Sequence, residues 1–300
     1  MAASSTADPA ALTVVCWGTR GSVPSPGPDT IRHGGNTSCV EIRTDDGRSL
    51  IFDAGTGIIP LARHLADDAG APVLNLFLTH FHWDHIQGLP FFPPLREPAA
   101  ILHIHGEPQD GVGVGALLRA QMRAPYFPVP LQQMPARIEY HELHGRAWRD
   151  DGVSVIPFRV RHAGYTCGFR IEYRGASVVY IPDNEMEGTV DALPASWEDD
   201  IIAFVGGADV LLHDAMFTAD EYGSRRGWGH GTCEQAVRLA RQADVRRLLL
   251  FHHRPERSDA ELDDIVGAHQ NRARAEGADL VIEAAVERRE IVVPARRLNA

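Results

Sequence analysis

Short apolar runs punctuated by Gly, Pro and Asp dominate the first part of the chain. Leu12–Trp17, Ser38–Arg43 and Ser49–Phe52 read as strands, with Asp45-Asp46-Gly47-Arg48 as a hairpin turn between the last two. Ile58, Leu61, Ala62 and Leu65 recur at helical spacing, predicting an amphipathic helix that ends near Gly70. Asn75–Leu78 follows as a buried strand and runs straight into a His/Asp cluster. From Pro90 to Asp151 the texture turns rich in Pro, Gly and aromatic residues, as expected of an insertion or lid on one domain spanning residues 1–300. Strands then return at Val153–Val160, Cys167–Tyr173, Ser177–Ile181, Val210–His213 and Leu248–Phe251, and helical spacing at Cys233–Gln242 and Glu261–Ala275. Two strand-then-helix halves predict an α/β sandwich of two mixed sheets flanked by helices.

Composition narrows the chemistry. The chain has 300 residues and a net charge of −11, with 44% hydrophobic and 23% charged residues, which fits a folded domain and not a disordered one. No apolar run approaches the roughly 18 residues that span a bilayer. Met1–Ala10 lacks the basic-then-apolar plan of a secretory signal, so a cytoplasmic location is expected. Every basic residue is Arg, and the absence of Lys excludes Schiff-base chemistry and the lysine of a P-loop. Cys16, Cys39, Cys167 and Cys233 are scattered without CxxC spacing, as free thiols are. The acidic balance predicts no strong binding to nucleic acid.

The densest chemical signal is Thr79-His80-Phe81-His82-Trp83-Asp84-His85, directly after a strand. His80 and His82 are two apart, so extended backbone points both rings the same way, while Asp84 and His85 lie past a turn. Imidazole and carboxylate donors suit zinc, and also manganese or iron. A strand end is where α/β sites open. His103 and His105 alternate along one strand face and read as edge or core packing rather than a second metal site. Gly111-Val112-Gly113-Val114-Gly115 lacks a βαβ context and reads as a loop. Tyr126-Phe127-Pro128 reads as lid packing, and Arg225-Arg226 faces either substrate phosphates or water.

The run resembles the HxHxDH signature of the metallo-β-lactamase superfamily, and the resemblance extends from Gly18 to His253 in the family's motif order. It implies the metallo-β-lactamase-like αββα sandwich and two divalent metal ions, zinc first. Asp53 in Asp53-Ala54-Gly55-Thr56-Gly57 matches the carboxylate that steadies the metal loop. By this resemblance His80, His82 and His162 hold one ion, Asp84, His85 and His252 the other, and Asp183 bridges them. His253 competes with His252 for the last position. Gly18-Thr19-Arg20-Gly21-Ser22, Gly34-Gly35-Asn36-Thr37-Ser38 and Gly229-His230-Gly231-Thr232 resemble the ribonuclease Z-like and cyclic-nucleotide phosphodiesterase-like branch, although Gly231 stands where Ser is common. There His230 contacts the scissile phosphate and protonates the leaving oxygen, alongside Asp84 as a catalytic group. Asp214 is expected to orient a ligand histidine, and Asn36 and Arg225 to stand either behind the ligands or near substrate.

These features predict a dinuclear metal-dependent hydrolase in which water between two ions becomes the nucleophile. A small anionic phosphodiester such as a cyclic nucleotide is the expected substrate. RNA processing, or hydrolysis of an ester, thioester or lactam, is the alternative on the same site, and a non-catalytic metal-binding module ranks behind both. No membrane partner is expected, and a homodimer is allowed.

Overall fold

The computed structural model describes residues 10–65 and 72–296. The expected helix end near Gly70 and the N-terminal segment ahead of Ala10 lie outside the described residues.

The first half supplies β1 (Ala10–Gly18), β2 (Cys39–Thr44), β3 (Ser49–Phe52), α1 (Ile58–Leu65), β4 (Val73–Phe77), α2 (Trp83–Ile86), β5 (Ile101–Gly106), α3 (Val114–Gln121) and β6 (Arg137–Glu142). The second supplies β7 (Trp148–Asp150), β8 (Val153–Arg159), β9 (Cys167–Tyr173), β10 (Ala176–Ile181), α4 (Trp197–Val205), β11 (Val210–Asp214), α5 (Ala219–Tyr222), α6 (Cys233–Gln242), β12 (Arg247–Phe251), α7 (Asp259–Ala275), β13 (Val281–Ala284) and β14 (Glu290–Pro294). They form two seven-stranded sheets, ordered β14-β1-β2-β3-β4-β5-β6 and β13-β12-β11-β10-β9-β8-β7. Each sheet is mixed: β3 through β6 and β10 through β13 run parallel, and the rest pair antiparallel.

The pleat explains the layering. Along β10, Val178 and Tyr180 enter the inter-sheet core, while Val179 and Ile181 enter a second core. There they meet α4 and α6 through Trp197, Ile201, Ala236 and Leu239. Both faces of the strand are covered, hence its continuous apolar run. The first sheet does the same with α1 and α3 through Leu61 and Leu118. The order of layers is therefore helix, sheet, sheet, helix, as the sequence predicts.

One expectation needs amendment. Residues 90–151, expected as an insertion or lid, deliver β5 and β6 to the first sheet and β7 to the second. All but two of the Pro and Gly residues lie in the turns and connections, whose texture masked β6 and β7. The chain end also returns: β14 pairs with β1 across the first sheet. Its alternating exposed and buried residues mark an edge strand too short to stand out in sequence. Among the described residues no helix is long and apolar enough to cross a membrane.

Candidate active site

Parallel strands expose unpaired backbone and turn sharply at their C-terminal ends, and here those ends converge. Asp53 follows β3, the His80–His85 run follows β4, Asp183 follows β10, Asp214 ends β11 and His252 follows β12. His162 stands just beyond β8. Asp53 and His252 both take left-handed backbone, at φ 60° and 57°. Such strain in a non-glycine residue costs roughly 1–3 kcal/mol and clusters at functional sites.

Asp53 organises the metal loop. Its Oδ1 accepts from the Thr79 backbone N–H at 2.8 Å, its Oδ2 accepts from Tyr180 Oη at 2.9 Å, and His85 Nδ1 lies 2.8 Å from Oδ2. His85 Nε2 is thereby turned toward Asp183 Oδ2 at 3.0 Å and Asp84 Oδ2 at 3.3 Å. Asp84 Oδ2 also accepts from the Ser22 backbone N–H at 2.7 Å and lies 3.1 Å from His252 Nε2. His162 Nδ1 donates to the Gly229 carbonyl at 2.7 Å, leaving Nε2 as a lone pair 3.1 Å from His82 Nδ1. His253 points away, its Nε2 donating to the Ala285 carbonyl at 3.1 Å.

The structure gathers His80, His82 and His162 into one group, Asp84, His85 and His252 into a second, and links them through Asp183, which groups with His80 and His85. Asp183 also joins Asp214, His230 and His252. The donor set fits a pair of divalent ions. His80 Nε2, His85 Nε2 and Asp183 Oδ2 are buried without a hydrogen-bond partner; the last two are close but misaligned. A buried polar atom left so costs about 1–3 kcal/mol. Burial holds His80 well below its ordinary pKa and His162 at about 4, so both rings are neutral at pH 7 and free to donate a lone pair. Burial opposes charge on Asp183, yet His252, His85 and His162 hold it well below the carboxylate range. A His/Asp arrangement of this kind suits a dinuclear site.

His230 sits beside this cluster, its Nδ1 2.9 Å from Asp214 Oδ2 and 3.6 Å from Asp183 Oδ1. Burial lowers its pKa, but Asp214, with Asp183 and Asp84, raises it to about 9. Thr232 explains the Gly-Thr that follows: it caps α6, accepting from the Gln235 backbone N–H at 3.1 Å while Gln235 Oε1 accepts from the Thr232 N–H. Asn36 does not face the cluster. Its backbone N–H and side chain donate to Glu287 at 2.6 and 2.9 Å, and its carbonyl accepts from Thr19 and Arg20. That bracing presents Gly21, where a Cβ would lie 2.4 Å from the His252 ring. Arg225 stacks over Phe217 at 5.3 Å, in the pocket that His230 lines.

Glu185 escaped the sequence reading. Fully buried, it accepts from the Gly227 and Gly229 N–H groups at 2.7 and 3.0 Å and from Tyr222 Oη at 2.7 Å. It thus fixes the loop whose Gly229 carbonyl orients His162. Its place two residues after Asp183 was the available signal.

A family model described as the beta-lactamase superfamily domain matches residues 19–253. Ribonuclease Z of Mycobacterium sp. (strain KMS) is 32% identical over 248 residues, covering 77% of this chain and 81% of the relative. Yeast PDE1 superposes with a TM-score of 0.69 at 13% identity, over 95% of this chain and 99% of its own. The short form of human tRNase Z does so at 0.63 and 19% identity, over 94% and 99%. The metal-loop motif, the paired mixed sheets and the match over most of its length agree, and the chain belongs to the beta-lactamase superfamily with the metallo-β-lactamase fold.

Proposed function

We propose that this metal-dependent hydrolase cleaves phosphodiesters, with a small one such as a cyclic nucleotide as its substrate. The observation that carries the reading is the His230–Asp214 pair, 2.9 Å apart, at the edge of a pocket of about 530 Å3. Ser22, Val23, Phe217, Arg225 and Trp228 line that pocket with His230. Its volume suits a mononucleotide-sized ligand. Trp228 offers a stacking face for a base, and the Arg225 guanidinium suits a phosphate oxygen.

His80, His82 and His162 would hold one ion and Asp84, His85 and His252 the other, with Asp183 between them. Two bound zinc ions would supply Lewis-acid activation of water and of the phosphoryl oxygens. This chain's own contribution is proton placement. Asp214 keeps His230 protonated at neutral pH. As the phosphorus–oxygen bond breaks, His230 Nε2–H gives its proton to the departing oxygen and is left as neutral imidazole, to be reprotonated from solvent.

RNA is the second reading, favoured by the 32% identity to a ribonuclease Z. The net charge of −11 argues for the smaller substrate, since a polyanion is repelled at long range. Turnover of bis-p-nitrophenyl phosphate, 3′,5′- and 2′,3′-cyclic nucleotides and a precursor transfer RNA, by zinc-loaded protein, decides. Cyclic-nucleotide hydrolysis reduced about 10²–10⁴-fold in His230→Ala is the expected result. Preference for the precursor transfer RNA selects the second reading, and no phosphodiester turnover overturns both.

A further inference from the structure

The face of the first sheet that is turned toward the second becomes polar at its β4–β6 end. Register sets Asn75, His103 and Glu139 abreast on β4, β5 and β6, and sets Phe77, His105 and His141 abreast two residues on. Residues two apart share a face, and Phe77 identifies that face as the one covering the inter-sheet core. Trp148 of β7 closes the core there, meeting Phe77 and His105 edge-on at 5.4 and 5.7 Å. Past Trp148 lies a cleft of about 650 Å3, with Asn75, His103, His105, His141 and Arg146 in its wall. An apolar strip would cover the end of such a core at least cost, because imidazoles and carboxylates resist desolvation unless paired. This chain instead places three imidazoles and a carboxylate there.

Their donor atoms converge. His103 Nδ1 lies 3.1 Å from His141 Nε2 and 3.2 Å from Glu139 Oε2, and His141 Nε2 lies 3.9 Å from the same oxygen. Metal bonds of about 2.0–2.2 Å in tetrahedral array set neighbouring donors roughly 3.3–3.6 Å apart, which these spacings bracket. The surroundings orient the donors. Arg137 takes the other Glu139 oxygen at 2.5 Å, leaving Oε2 to the cluster. His105, 2% exposed, stacks between Phe77 at 4.4 Å and His141 at 4.7 Å, and so backs the His141 ring. Its Nε2 lies 2.9 Å from Asn75 Oδ1, and its Nδ1 is buried without a partner. The cluster itself is reachable: the His103, Glu139 and His141 side chains are 27%, 31% and 41% exposed.

We propose that His103 Nδ1, Glu139 Oε2 and His141 Nε2 form a metal site separate from the strand-end cluster, taking one divalent ion of the zinc class. Two imidazoles and one carboxylate are a complete protein ligand set for zinc that keeps a position open to water or to a ligand in the cleft. The ion would tie β5 to β6 at the open end of the sandwich. The proposal does not depend on the substrate of the strand-end site.

The test is zinc content after loading and exhaustive dialysis of the full chain, measured by inductively coupled plasma mass spectrometry. The double variant His103→Asn/His141→Asn is expected to retain one equivalent fewer than wild type. That difference holds whatever the strand-end site contains. Copper(II) added to zinc-loaded wild type is expected to give an electron paramagnetic resonance signal with nitrogen coupling that the variant lacks. If the double variant does not fold by circular dichroism, Glu139→Gln replaces it, with the loss expected as at least tenfold weaker retention of the last equivalent. Equal zinc content in wild type and a folded variant overturns the proposal and leaves a hydrogen-bonded His–Glu–His group.

Discussion

Two histidine-rich clusters meet the first sheet, one past the ends of its strands and one midway along them, and they are built by different means. At the strand ends, the donors are oriented by groups behind them. Asp53 holds His85, the Gly229 carbonyl holds His162, and the Ser22 N–H holds Asp84. Most of these groups are buried, and the backbone is strained at Asp53 and His252 to aim them inward. Midway along β5 and β6, register alone brings His103, Glu139 and His141 together, with Arg137 as the one charged group holding a donor. The first arrangement spends folding energy on a rigid, enclosed constellation suited to chemistry. The second is half-exposed, unstrained and suited to binding that exchanges with solvent.

The contrast can be broken most severely by chelation. Removing divalent ions is expected to abolish phosphodiester hydrolysis, and adding zinc to restore it, as measured by p-nitrophenolate release. Asp53→Ala comes next. It removes the shared partner of Thr79, Tyr180 and His85, and should weaken zinc retention at the strand ends about 10–100-fold. Competition with a chromophoric chelator reads that loss. A thermal melt should show a further destabilisation of about 1–3 kcal/mol from the stranded Tyr180 hydroxyl.

Asp214→Asn produces a shift rather than a loss. In the proposed reaction His230 works protonated, so activity should fall as pH rises through its pKa, which Asp214 holds up at about 9. Without that charge the alkaline limb of the kcat/KM profile moves to lower pH; an unmoved limb would remove His230 from the proton-transfer role. The smallest effect belongs to the other cluster. His141→Asn should leave kcat/KM for bis-p-nitrophenyl phosphate unchanged within about twofold, because nothing in the strand-end constellation touches it. A large drop would mean that the two clusters are coupled through β5 and β4.

Legibility followed chain distance. Thr79–His85 announced itself because its donors are local and sit at one strand end. The other strand-end residues were placed by motif resemblance: His162, Asp183 and His252 fall into the overlapping donor groups, and Asp53 stands behind them on His85. Asn36 was expected either behind the ligands or near substrate; it braces the loop through Glu287, a partner 251 residues away in sequence. Glu185 was silent because a carboxylate that holds loop N–H groups has no spacing rule of its own. Within residues 90–151 the strand at His103–His105 was legible, while β6 and β7 were hidden by the turns around them.

By itself, the amino-acid sequence determined the alternation of strands and helices, the two mixed-sheet halves and the strand-end metal run, because hydrophobic period and neighbouring donors are local properties. Only the tertiary structure decided that His252 rather than His253 faces Asp84, that His230 pairs with Asp214, and that His103 meets Glu139 and His141. Those outcomes depend on a left-handed residue at one strand end, on the approach of a loop, and on the register of two strands joined by a long connection. Each is settled by packing between segments far apart in the chain, and no local pattern encodes it.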